Sequence, residues 1–288
     1  MQIRPILKQL NIRPRKSWGQ NFLINDKVAQ KIISFCDLNI NDVVLEIGPG
    51  LGSLTRYLIE TSGRVIAVEI DKKISAYLKQ EFAEQNNIDI VCRDILKFDL
   101  KGYLNKNKIV DKTVEDNNRI KIVGNLPYYI TSPIIEYLIK NRADISSVII
   151  MVQKEVANRL SAKPGTKDYG SLSCFVQFYA DVKKILTIRP SGFHPCPDVD
   201  STVLAINFFE KPAYSLDNEE NLFKIIRAGF NQRRKQILKA LLNNLKIVKM
   251  TRLELEQILI KADIDPAARA EVLSLADFVR LAKILTEP

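Results

Sequence analysis

From Asn41 onward, short β-rich runs alternate with amphipathic stretches, and this alternation constrains the fold more than any other property of the chain. Val43–Ile47, Arg64–Ile70, Ile88–Cys92, Ile120–Gly124 and Val148–Gln153 read as strands rich in β-branched residues. Between them, Gly52–Glu60, Asp71–Glu84 and Thr131–Asn141 read as helices, with apolar residues at three-to-four spacing such as Ile74, Tyr77, Leu78 and Phe82. The pattern predicts a mostly parallel sheet with helices on both faces, an α/β domain. Two further β-rich runs, Cys174–Tyr179 and Thr202–Phe208, flank a loop with Pro190, Pro195 and Pro197 and predict an antiparallel finish to the sheet. Lys101–Asn118 reads as a polar loop. A boundary is expected in Glu210–Asn218, beyond which Leu222–Phe230, Arg234–Leu245, Leu253–Lys261 and Ser274–Leu285 are helical in period, with Asp265 and Pro266 as a helix start. The expected organisation is a basic arm over residues 1–24, an α/β domain over 25–209 and a small all-α domain over 210–288.

A hydrophobic content of 46% in 288 residues supports a real core and argues against disorder. Lys and Arg number 43 against 33 Asp and Glu. Arg4, Lys8, Arg13, Arg15 and Lys16 all precede the first acidic residue, Asp26, and supply half of that excess. A one-signed arm of this kind suits a polyanion. No apolar run approaches the roughly 18 residues of a membrane span, and the basic residues interrupt any secretory apolar region, so a cytoplasmic location is expected. Cys36, Cys92, Cys174 and Cys196 form no CxxC pair, and His194 is the single histidine, so metal-free chemistry is expected.

Glu46-Ile47-Gly48-Pro49-Gly50-Leu51-Gly52 follows the first strand and opens a helix, a strand–loop–helix geometry that presents unblocked backbone N–H groups to a cofactor. A dinucleotide fingerprint wants glycine where Ser53 stands, which weakens a nicotinamide reading. Glu69 ends the second strand, where a carboxylate can accept from both hydroxyls of a ribose. Asp94 ends the third and can accept from an exocyclic amine such as adenine N6. Each acid alone reads equally as a helix cap; three successive strand ends carrying a glycine turn, a ribose acceptor and a base acceptor point to an adenosine cofactor.

Asn125-Leu126-Pro127-Tyr128-Tyr129 ends the fourth strand and is the most specific signal in the chain. It reads as a site for methylating a planar exocyclic amine, whose lone pair is delocalised into the ring and must be drawn out. The Asn125 side-chain carbonyl and the Leu126 backbone carbonyl can each accept one amine hydrogen, Pro127 fixes the turn that presents both, and Tyr128 offers an aromatic face to an extruded base. Such catalysis is positioning and electrostatics. No base is needed before attack, because the proton becomes acidic only after transfer. The competing reading is an Asx-type turn beside a core tyrosine.

Together with Gly19-Gln20-Asn21-Phe22-Leu23, Glu46–Gly52 and Phe193-His194-Pro195-Cys196-Pro197-Asp198-Val199-Asp200-Ser201, this motif resembles the ribosomal RNA adenine N6-dimethyltransferase family, and within it the bacterial small-subunit branch. The resemblance extends to Gln153-Lys154-Glu155, Tyr169–Ser173 and Phe230–Lys235, nearly the whole chain. It implies a Rossmann-like methyltransferase fold with a mostly parallel seven-stranded sheet, S-adenosylmethionine as methyl donor, and dimethylation of two adjacent adenosines near the 3′ end of 16S rRNA in the immature 30S subunit, late in its assembly, by a monomer. The family's cofactor contacts fall on Asn21, Leu23, Gly48, Glu69, Asp94 and Asn125. By the same resemblance, Asn125, Leu126 and Tyr128 are expected to hold the target adenine, and Phe193 to stack on its other face. The chain departs from the family pattern at Gly52, where alanine is frequent, and at Asp198, where lysine is common.

Phe193 reads as exposed and ligand-ready on its proline frame, with a buried core residue as the alternative; His194 reads as loop packing. Arg233, Arg234 and Lys235, with Arg13, Arg15 and Lys16 of the arm, fit phosphate contacts. Competing functions are a large-subunit (23S) rRNA methyltransferase of the macrolide-resistance type, a non-catalytic rRNA-binding assembly factor, and an NAD-dependent oxidoreductase, which leaves Asn125–Tyr128 and the arm unexplained.

Overall fold

The computed structural model of the chain describes residues 3–14, 19–109, 119–245 and 250–286. The chain divides into two compact units, Met1–Ala157 with Lys183–Phe208, and Asn158–Val182 with Phe209–Pro288. In chain order the first unit runs α1 (Ile3–Gln9), β1 (Phe22–Leu23), α2 (Asp26–Ser34), β2 (Val43–Ile47), α3 (Thr55–Thr61), β3 (Arg64–Glu69) and α4 (Lys72–Glu81). It continues with β4 (Ile88–Cys92), α5 (Leu100–Lys106), β5 (Ile120–Asn125), α6 (Thr131–Lys140) and β6 (Ile145–Gln153). After α7 (Lys154–Leu160), α8 (Ser171–Tyr179) and β7 (Ala180–Ile188) come β8 (Phe193–His194) and β9 (Ser201–Phe208); the unit boundary falls within α7 and β7. The second unit adds α9 (Glu219–Phe230), α10 (Ile237–Asn244), α11 (Arg252–Lys261) and α12 (Leu275–Thr286) to α8.

The seven-stranded sheet has the order β4-β3-β2-β5-β6-β9-β7. The first five strands pair in parallel, and β9 runs antiparallel to β6. Val44, Leu45, Val65, Ile66, Ala67, Ile120, Ile122 and Val123 are all buried. Strands covered on both faces need continuous apolar runs, and each such Val or Ile stabilises the unit by about 1.5–3 kcal/mol. The strand order reverses at β2, with β3 on one side and β5 on the other. Right-handed crossovers then leave toward opposite faces, and a crevice opens beyond the carboxyl ends of β2 and β5.

Several expectations are corrected. Cys174–Tyr179 is helix, the end of α8, not strand. Ser173, Cys174, Val176, Phe178 and Tyr179 are all buried, so the helix is apolar over most of its length and its aromatic and β-branched content imitates a strand. The strand lies one element later, in β7, where Asp181, Lys183 and Lys184 break the alternation; such charges suit an edge, whose open side would otherwise template further pairing. Residues 158–182 group with the helical unit rather than with a continuous 25–209 domain. The cause is aromatic packing within that unit: Phe223 of α9 meets Phe175 and Phe178 of α8 at ring separations of 5.0 and 5.4 Å. Asp265 and Pro266 begin a turn rather than a helix, with Asp265 Oδ1 accepting from the Ala267 N–H at 2.9 Å. Part of the expected loop 101–118 is α5, and residues 110–118 lie outside the described residues.

The N-terminal arm is not a free basic tail. Ile3 and Leu7 of α1 are buried in a cluster with Phe22, Leu51, Ile74 and Leu78, and Lys73 Nζ donates to the Asn11 carbonyl at 3.3 Å. The apolar spacing within Ile3–Leu10 docks the segment on α4 and on the glycine turn. That turn runs on to Leu54 before α3 begins at Thr55, later than the expected Gly52. Gly52 has φ +84°, and a Cβ there would sit 3.1 Å from the Phe82 ring. Alanine at this point is therefore disfavoured here by a left-handed backbone and by the closeness of the Phe82 ring. Gly52→Ala is expected to lose about 1–2 kcal/mol of stability in urea denaturation; an unchanged midpoint would show that the turn relaxes.

Candidate active site

Beyond the carboxyl ends of β2, β3, β4 and β5 lies an open cleft enclosing about 910 Å³ of empty space, partly continuous with solvent. Asn21, Leu23, Gly48, Glu69, Asp94, Asn125 and Pro127 all line it, as do Glu46, Ser53 and Tyr129. Residues distant in sequence converge there because each follows a strand of the same sheet or belongs to the segment that crosses the strand ends.

The glycine turn is held from within. Gly48 N–H donates to the Val68 carbonyl at 3.0 Å and Gly52 N–H to the Pro49 carbonyl at 3.0 Å, while Gly50 N–H donates to Glu69 Oε2 at 3.2 Å. The N–H groups expected to be unblocked at these three glycines are thus already engaged, which removes them from the donors a pyrophosphate would use. Ser53, at the position of the missing glycine, donates its hydroxyl to the Leu23 carbonyl at 2.7 Å and so ties the arm to the turn.

Two acids sit on adjacent strands. Glu69 is 5% exposed, and its Oε1 accepts from the Asp71 N–H at 2.9 Å. Burial outweighs these donors and pushes its carboxyl up to about 7. Glu46 is 1% exposed and accepts the Thr55 hydroxyl at 2.6 Å. Burial, with a smaller contribution from the like charge of Glu69, pushes it up to about 8. Asp94 caps the short 3-10 turn Ile95–Lys97, with Oδ1 accepting from the Leu96 N–H at 3.0 Å. Its other oxygen accepts no hydrogen bond among the described residues, so one carboxylate can serve as both cap and ligand acceptor. Tyr129 is half exposed, and its phenol is pushed up by burial and then by Asp94 and Glu69.

Asn125 Nδ2 donates to the Asn21 carbonyl at 2.8 Å. That bond orients the amide and leaves Oδ1 as the acceptor with no partner among the described residues. Leu126 is buried and its N–H donates to the Met151 carbonyl at 3.0 Å, so its backbone is anchored in the sheet. The next two carbonyls are used: Pro127 accepts from the Ile130 N–H at 3.3 Å, and Tyr128 accepts the Thr131 hydroxyl at 3.4 Å. The Leu126 carbonyl accepts no bond among the described residues. Gly19 passes close over this turn: its φ is +59°, and a Cβ there would sit 2.9 Å from the Tyr128 nitrogen. Tyr128 is half-buried, with its hydroxyl 2.7 Å from Ser201 Oγ.

Other expected site residues fall elsewhere. Phe193 is 3% exposed and packs with Leu23, Val203 and Ile188 in the core. It does not line the cleft, which corrects the ligand-ready reading. The cause is the pairing of β8 with β1, which sets Phe193 opposite Leu23. Arg13 is exposed, and Arg15 and Lys16 lie outside the described residues. In the second unit, Arg233, Arg234 and Lys235 occupy a turn between α9 and α10 rather than a helix face. Arg233 is engaged, donating to the Lys167 carbonyl at 2.6 Å and the Tyr169 carbonyl at 3.0 Å. Arg234 and Lys235 are exposed and form no ion pair among the described residues. Glu46, Ser53 and Tyr129 were assigned no contact in the sequence reading; Tyr129 is the last residue of the Asn125–Tyr129 motif, whereas the burial of Glu46 has no sequence signal. No cluster of three or more His, Cys, Asp or Glu that could hold a metal ion occurs among the described residues.

The family model described as ribosomal RNA adenine dimethylase matches residues 11–286. A protein of Anoxybacillus flavithermus named ribosomal RNA small subunit methyltransferase A is 40% identical, covering 98% of this chain and 94% of that one. A dimethyladenosine transferase structure from Plasmodium falciparum matches with TM-score 0.72 and 26% identity, over 90% of this chain and 95% of that one. The 23S rRNA methyltransferase ErmE matches with TM-score 0.66 over 93% of this chain and all of that one; at 24% identity it speaks for a shared fold alone.

Raised carboxyls bind protons more tightly folded than unfolded, so their contribution to stability is complete below the unfolded value of 4.5 and is lost as pH rises through about 7 and about 8. The thermal midpoint of the ligand-free protein is expected to fall between pH 5.5 and pH 8.5, flanking those values, and Glu46→Gln should flatten that fall. A midpoint that rises over the interval would contradict the assignment.

Proposed function

The chain belongs to the ribosomal RNA adenine dimethylase family, and from that premise we propose that it dimethylates N6 of two adjacent adenosines near the 3′ end of 16S rRNA. The observation that carries this reading is the pair of acceptors left over at the end of β5, Asn125 Oδ1 and the Leu126 carbonyl, which match the two amine hydrogens present in the first transfer, one of them still serving the single hydrogen left for the second. Its substrate form is the immature 30S subunit, late in assembly, and the enzyme works as a cytoplasmic monomer. Among the described residues, no helix is long and apolar enough to cross a membrane.

S-adenosylmethionine, the methyl donor, supplies when bound an electrophilic methyl group carried on a sulfonium cation. The cleft fits such a group: it is lined by Glu46, Glu69 and Asp94 and has the N–H groups of its three turn glycines engaged, which disfavours a pyrophosphate and suits a phosphate-free cation. The same observation counts against a nicotinamide dinucleotide. Glu69 would accept from the ribose hydroxyls and Asp94 from the adenine amino group, with Asn21, Leu23 and Gly48 completing the wall. Asn125 and Leu126 would hold the target amine, turning its lone pair toward the methyl group, and Tyr128 would stack on the extruded base. In each transfer one N–C bond forms, one S–C bond breaks and one N6 proton leaves to water, so the chain need only hold atoms in place. Names of relatives at 36–40% identity support the small-subunit rather than the large-subunit substrate.

Arg13, Arg15, Lys16, Arg234 and Lys235 are proposed to contact RNA phosphates, whereas Arg233 acts chiefly by bracing the turn that carries its two neighbours. The reading is tested by incubating protein and methyl donor with immature small subunits or with naked large-subunit RNA, then mapping dimethyladenosine by primer-extension stops. Product on large-subunit RNA alone would replace the proposed substrate. In the same assay Asn125→Ala should lower turnover by about 10²–10³-fold with RNA binding retained. Neutralising Arg234 and Lys235 together should reduce the slope of log affinity against log salt by about one per lost phosphate contact; an unchanged slope would mark them as solvated surface.

A further inference from the structure

Phe193–Ser201 is one of the most distinctive runs in the sequence, yet Phe193, its aromatic residue, is buried and turned into the core. The far end of the run reaches the motif that follows β5 instead. Ser201 opens β9, is fully buried, and pairs in register with Gln153 of β6. The residue before it is clamped twice by Lys154: the Asp200 carbonyl accepts the Lys154 N–H at 3.0 Å, and the Asp200 carboxylate meets Lys154 Nζ at 3.0 Å. A hydroxyl on so fixed a strand end has little freedom, and it lies 2.7 Å from the Tyr128 hydroxyl.

Tyr128 follows Pro127 in a 3-10 turn whose carbonyls are held by Ile130 and Thr131, so its backbone is already set. The remaining freedom is that of the side chain, and the bond to Ser201 removes it. We infer that Ser201 is a positioning residue for methyl transfer, its hydroxyl holding the Tyr128 ring in the orientation that receives the target base. An aromatic platform fixed in advance spares the ordering that would otherwise oppose base capture. The Phe193–Ser201 run thereby acts through its serine and the strand register behind it. This inference rests on the functional reading above, in which Tyr128 stacks on the extruded adenine.

The test compares wild type, Ser201→Ala, Tyr128→Phe and the double variant for methyl transfer to immature small subunits and for binding of S-adenosylhomocysteine. Each single variant removes the same hydrogen bond from one side. Each should lower kcat/KM for the RNA about tenfold, the double variant should fall no further, and S-adenosylhomocysteine affinity should stay within about twofold throughout. Tyr128→Phe breaks the bond at the half-buried side chain and keeps the test valid if Ser201→Ala fails to fold. Wild-type turnover in a folded single variant, losses that multiply in the double variant, or a parallel loss of S-adenosylhomocysteine affinity would each overturn the positioning role. A wild type that makes no dimethyladenosine would bring down the functional reading and this inference together, whereas an active wild type with an unaffected variant would remove this inference alone.

Discussion

The hydrogen bond from Asn125 Nδ2 to the Asn21 carbonyl joins two parts of the chain that the sheet alone would leave separate. One is the end of β5, where the sheet delivers an asparagine; the other is the segment Gly19–Leu23, which lines the cleft beyond the strand ends. The bond decides which end of the amide is spent on the protein and which remains to accept. Around it the segment is pinned again by Ser53 on Leu23 and by the pairing of β1 with β8. The cleft is therefore a crevice of the parallel sheet bordered on one side by this segment as a strap, and the strap holds the acceptor geometry.

The electrostatics of the cleft follow from the same construction. Glu46 and Glu69 lie on neighbouring central strands, so both are withdrawn from water and burial pushes their carboxyls up to about 8 and about 7. Stability of the empty protein and affinity for a cation then pull in opposite directions as pH rises, because ionised acids are costly in an empty cleft and useful in a filled one. This arrangement agrees with a cationic cofactor and opposes a polyphosphate, independently of any motif.

The fold was legible wherever a single period ruled a segment: β2 to β6 announce themselves by apolar runs, and α9 to α12 by helical spacing. Glu69, Asp94 and Asn125 were legible for the same reason, since each stands at the end of such a strand. What stayed hidden depended on contacts between distant segments. The burial of Phe193 requires the β1–β8 pairing, which no local pattern encodes. The helix α8 hid because its dense run of aromatic and β-branched residues imitates a strand, and β7 hid because edge charges interrupt its alternation. Arg233 looked like its two neighbours in sequence and differs from them in having the Lys167 and Tyr169 carbonyls and the Glu271 carboxylate within reach.

Ser53 bears on what the fold can be made into. Replacing it with glycine would complete a dinucleotide fingerprint on paper, yet the Gly48, Gly50 and Gly52 N–H groups would remain bonded to Val68, Glu69 and Pro49. The change would also leave the Leu23 carbonyl without its hydroxyl donor and loosen the strap. Cofactor class in this architecture is thus a property of the whole network of donors rather than of one residue. A redesign toward nucleotides would have to start by rerouting backbone bonds before touching any side chain that faces the ligand.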